Sequence, residues 1–94
     1  MSDKDKPFDR MVNFLVETYG MSLQGAQKLV VQSSEAIYTI REQLKFKATY
    51  EKLRHEQSED TARIEACKAV VNNSPTWEMV ADEAHRYQLA GPFL

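Results

Sequence analysis

The feature that most constrains this chain is a long interval without helix breakers. Residues 26–74 contain neither Gly nor Pro, and strong helix formers (Ala, Leu, Glu, Lys, Gln, Arg) recur throughout them. β architectures need corners, and corners draw on Gly, Pro, Asn and Asp at set positions. A 94-residue chain holding three Gly and three Pro has too few of them for a sandwich or barrel. The expectation is an all-α fold, and the length allows one core.

Apolar spacing gives the interval its form. Leu23, Val30, Ile37 and Leu44 stand seven residues apart, with Ala26, Ser33 and Ile40 in the complementary positions of a heptad seam. Ser22 can cap the segment, and Met21 and Ala26 occupy the positions of a hydrophobic staple. The pattern predicts one long central helix over about residues 22–56, roughly 50 Å at 1.5 Å per residue. Past Leu44 the repeat lapses, and Phe46, Tyr50 and Leu53 continue an apolar stripe on a rotated face.

Punctuation elsewhere sets the remaining elements. Residues 1–6 alternate Asp and Lys and are expected to be a disordered tail. Pro7 suits a first helical turn and Gly20 a left-handed terminus, which predicts a helix over 7–19 with Phe8, Met11, Val12, Leu15 and Tyr19 inward. The polar run 54–60 is the expected point of reversal, with Ser58 capping a helix over 59–72. There Ala62, Ala66, Ala69 and Val70 face inward beside Ile64, Cys67 and Val71. In Asn72-Asn73-Ser74-Pro75 an Asn can take the left-handed position after that helix. A last helix follows over 75–90, with Trp77, Val80, Ala81 and Ala84 inward and Gly91-Pro92 as its stop. Residues 7–94 thus read as a single four-helix domain with helical hairpin or bundle packing.

Function is sought in what such a domain leaves uncovered. Helices of 12 to 16 residues cannot cover one of about 50 Å. Leu23, Val30, Val31, Ile37, Tyr38 and Leu44 would therefore stay wet in a monomer, and Phe14 and Val16 widen the apolar surface of the first helix. The leading expectation is a non-catalytic protein–protein interaction module, an adaptor, regulator or assembly subunit, paired as a homodimer and needing no cofactor. One cysteine, Cys67, excludes an internal disulfide and a thiolate zinc cluster. With no apolar stretch of spanning length, a cytoplasmic protein without a membrane role is expected.

The first alternative is nucleic acid. Net charge is −2 over the chain, but residues 22–56 sum to +2 and residues 57–94 to −3. Arg41, Lys45, Lys47, Lys52 and Arg54, with Phe46 and Tyr50 interleaved, form a basic band able to touch a few phosphates. Glu42 and Glu51 lie within helical reach of Lys45, Lys47 and Lys52, and such pairs would neutralise much of the band. A helix-turn-helix over residues 62–88 has suitable lengths, but Glu78, Asp82 and Glu83 would repel phosphate from its second helix.

The second alternative is an enzyme. Glu56-x-x-Glu59 with Glu78 and Asp82 resembles the acidic helix pairs with which small all-α nucleotide pyrophosphohydrolases hold Mg²⁺. Here the first pair falls in the expected turn, and the second has a three-residue gap where that family has two. Asp82-Glu83-Ala84-His85 spells a helicase box without the Gly-rich phosphate loop those motors need. Asp82-x-x-His85 has the spacing of a di-iron carboxylate–imidazole pair but lacks the companion ligands. Cys67 in an Ala/Val-rich stripe, with His55 and His85 lacking orienting partners, offers no nucleophile.

Overall fold

The computed structural model describes residues 6–87, with side chains through residue 81. They form five helices: α1 (Pro7–Tyr19), α2 (Leu23–Ile37), α3 (Ile40–Leu53), α4 (Glu59–Val71) and α5 (Pro75–Tyr87). No strand occurs among the described residues, so the fold is an all-α bundle. α4 packs against α1, α2 and α3, while α1 also meets α2 and α5. The expected tail before Lys6, the Gly91-Pro92 stop and the side chains of Asp82, Glu83, Ala84 and His85 lie outside the described residues.

The long central helix over 22–56 is corrected to two helices meeting at Tyr38-Thr39. No breaker is needed. Tyr38 and Thr39 take extended ψ angles of 138° and 166°, and Thr39 Oγ1 accepts from the Glu42 amide at 3.2 Å as the N-cap of α3. Gln43 Nε2 donates to the Tyr38 carbonyl at 3.2 Å, supplying a partner that the helix no longer provides. Tyr38 and Thr39 are weak helix formers, and a Thr hydroxyl competes well for a free amide at a helix start. Tertiary packing fixes the choice. Bent inward, the Tyr38 ring lies 5.7 Å from Phe46 and 6.0 Å, edge-on, from Trp77.

The other ends follow local chemistry. Gly20 adopts φ 67°, and its N–H donates to the Val16 carbonyl at 3.0 Å. Ser58 caps α4 by accepting from the Thr61 amide, with Glu59 and Asp60 in the first turn where the helix dipole favours them. Asn72 is not left-handed: its φ is −73°, and its side chain serves elsewhere. Asn72 Oδ1 accepts from the Phe8 amide at 2.9 Å, capping α1, whose own N-cap Lys6 offers no side-chain bond. Asn73 Nδ2 donates to the Ala69 carbonyl at 2.8 Å, closing the end of α4.

The core joins Phe8, Met11, Val12, Phe14 and Leu15 of α1 to Leu29, Val30 and Val31 of α2, to Cys67, Val70 and Val71 of α4, and to Trp77 and Ala81. Ala62 and Ala66 are fully buried, and their small side chains let α4 sit centrally. Phe14 is buried where an exposed flank was expected, because α1 meets three helices and not one. Tyr19, expected inward, is 37% exposed and stays edge-on to Phe14 at 6.1 Å. Arg63–Glu35 at 2.7 Å ties α4 to α2, and Arg10–Glu78 at 3.0 Å ties α1 to α5.

Candidate interaction surface

The break sorts the expected partner face into two groups. Val30, Val31 and Tyr38 are core residues and are withdrawn from it. α1 and α4 close over the middle of α2, and Tyr38 turns into the aromatic cluster. Leu23, Ile37 and Leu44 are exposed, and Ile40, a seam position in the heptad pattern, is the most exposed large apolar side chain among the described residues at 79%. Leu23 starts α2 and Ile37 ends it, about 21 Å apart along the axis. Ile37 therefore belongs with the start of α3, where Ile40 and Leu44 (65% exposed) follow one turn apart. The Thr39-x-x-Glu42 capping signature marks this start in the sequence and was the available signal for Ile40.

α3 has no fully buried residue. At about 100° per residue, Ile40, Leu44 and Glu51 fall in its outermost row, Arg41, Lys45 and Lys52 along one flank, and Lys47 and Arg54 along the other. Phe46, Tyr50 and Leu53 are half-buried on the inner side. The basic band is therefore two rows with an apolar ridge between them.

The expected neutralisation of that band is seen only at Arg54 and is corrected for the other four cations. Glu42 turns inward, and its carboxylate accepts from Trp77 Nε1 at 3.1 Å. Glu51 pairs with Arg54 at 3.3 Å. Arg41, Lys45, Lys47 and Lys52 make no ion pair among the described residues. Beside this face a groove of about 530 Å³ runs to the α4–α5 turn, with Arg41 and Lys45 on one wall and Val70 and Pro75 on the other. The interleaved aromatics are not presented outward: Phe46 and Tyr50 stack on each other, 6.2 Å apart and nearly parallel.

The residues considered for chemistry are dispersed. Cys67 is fully buried, and burial pushes its thiol up to about 11, so it stays neutral at ordinary pH. Burial likewise raises the Tyr38 phenol, next to Cys67. Glu56 lies in the turn before α4, Glu59 begins α4, and Glu78 is engaged by Arg10. No three His, Cys, Asp or Glu side chains gather into a metal-binding group among the described residues. None of the described helices is long and apolar enough to cross a membrane. No protein-family model matches the chain, and no curated protein or solved structure is significantly similar to it.

Proposed function

We propose that this chain is a non-catalytic protein–protein interaction module whose contact face is the α2–α3 corner. One observation carries the proposal: Ile40 and Leu44, one turn apart on α3, are 79% and 65% exposed, and Ile37, the last residue of α2 before the break, is 52% exposed. Isolated exposed apolar residues are ordinary, but a contiguous group on one face marks a contact surface. Recognition of an amphipathic helix reuses this spacing of anchors.

The homodimer expected from an overlong helix loses its basis, since a 50 Å helix does not exist in a molecule 35 Å in its longest dimension. Pairing two copies through this corner would also bring eight cations without ion pairs among the described residues into one interface, four from each copy. We therefore take a different protein as the occupant. Photo-crosslinking in cells tests this, with the reactive residue at Leu44 and, as control, at exposed Gln32. A discrete heteromeric adduct at Leu44 that Ile40→Glu abolishes supports the proposal. An adduct of twice 10.8 kDa overturns the choice of occupant, and equal or absent labelling at the two positions overturns the contact face.

A further inference from the structure

Resting on that contact face, we infer that its occupant is an acidic amphipathic segment, placing apolar side chains on Ile37, Ile40 and Leu44 and carboxylates against the flanking cations. Charge complementarity carries the inference. An exposed helix ordinarily neutralises its lysines with glutamates three or four residues away. In α3 both glutamates are otherwise engaged, Glu42 by Trp77 at 3.1 Å and Glu51 by Arg54 at 3.3 Å. Four cations are left facing solvent on both sides of an apolar ridge. A partner with the reverse pattern, an apolar row bordered by Asp or Glu, would meet both features together.

The groove beside α3 fits the same partner. Arg41 and Lys45 line it beside Glu42, whose carboxylate is held by Trp77, and Val70 and Pro75 on the other wall can carry the methylenes of a Glu side chain that reaches the two cations. Nucleic acid fits less well. Its phosphates would find aliphatic side chains at the centre of the face, and Phe46 and Tyr50 are stacked on each other and unavailable to bases. An anionic bilayer would find three apolar side chains, with Glu51 in the same outer row as Ile40 and Leu44.

The test titrates the ¹⁵N-labelled full chain with three synthetic peptides of about 16 residues, alike in one helical row of leucines and differing in Glu, Gln or Lys at the flanks. The Glu peptide is expected to bind at micromolar concentration and to shift the amides of residues 40–52. Its affinity should fall about tenfold between roughly 50 and 300 mM salt, as exposed charge pairs do when screened. The double variant Lys45→Glu, Lys47→Glu should weaken it about tenfold or more, whereas Lys28→Glu, on α2, should not. Leu44→Gln should abolish binding of every peptide. Equal affinity for the Glu and Gln peptides overturns the acidic partner and leaves the contact face standing. If no peptide shifts residues 40–52, the contact face falls as well. Tighter binding of phosphatidylserine vesicles or of a single-stranded oligonucleotide than of the Glu peptide overturns the class of occupant.

Discussion

The buried Cys67 thiol and Tyr38 phenol should make this protein alkali-labile in a defined way. Both are acids whose neutral form the fold prefers, since burial raises both above their ordinary values. For a raised acid the unfolded chain loses its proton first, so stability is complete below the unfolded value and declines as pH rises through the gap. For Cys67 that gap runs from 9.0 to about 11. Linkage across it gives a loss of roughly 1 to 2 kcal/mol by pH 10, with Tyr38 adding well under 1 kcal/mol by that point because its unfolded value is near 10. Against a total of about 5–10 kcal/mol for a small domain the loss is easily measured. Cys67→Ala removes the thiol. It lowers stability by about 1 kcal/mol at neutral pH for lost sulfur contacts, but escapes the thiol's share of the decline, so the two proteins should converge to about equal stability by pH 10. Urea unfolding followed by helical circular dichroism at several pH values reads both quantities. If wild type and Cys67→Ala decline in parallel over that window, burial of the thiol is not what limits alkaline stability.

Three further substitutions test the fold's construction. Asn72→Ala deletes the acceptor that caps α1 from 64 residues away; it should cost about 1 kcal/mol in urea unfolding and speed hydrogen exchange of the Phe8 amide. Gly20→Ala places a Cβ that meets nothing within 4 Å, so its cost is confined to the left-handed backbone at φ 67° and should be about 1 kcal/mol. Ile40→Glu removes a large apolar side chain that is 79% exposed and should change stability by less than about 0.5 kcal/mol. A loss of several kcal/mol there would show that Ile40 serves the core instead of a partner.

The helix ends visible in the sequence were those set by local sterics. Pro7, Gly20 and Pro75 act through the backbone of their own turns, and Ser58 and Asn73 through side-chain bonds to amides or carbonyls within four residues. The break at Tyr38-Thr39 is of another kind. Thr39-x-x-Glu42 can cap a helix or lie within one, and what selects the cap is a Tyr38 ring held by Phe46, eight residues on, and by Trp77, thirty-nine residues on. The contact face was half legible for a related reason. Sevenfold spacing says that Leu23, Val30 and Ile37 share a side of α2, but the extent of α1 and α4 decides that Val30 is covered and the two ends are not. The basic band was legible as composition. Its lack of neutralisation was not, because the partner of Glu42 lies 35 residues away.

That last contact joins the fold to the proposed function. α3 contributes no fully buried residue, so its place depends on Phe46, Tyr50 and Leu53 against α4 and on the bond from Trp77 to Glu42. The inner side of the helix therefore meets the needs of folding, and folding gives no reason for Ile40 and Leu44 to be apolar on the outer side. The inward turn of Glu42 that fastens α3 to α5 also removes the carboxylate nearest Lys45 along the helix. One side chain thus holds the helix in place and leaves the outer face cationic. Structural stability and partner charge are coupled through Glu42, and a change at Trp77 would reach the contact face by freeing that carboxylate to pair with Lys45.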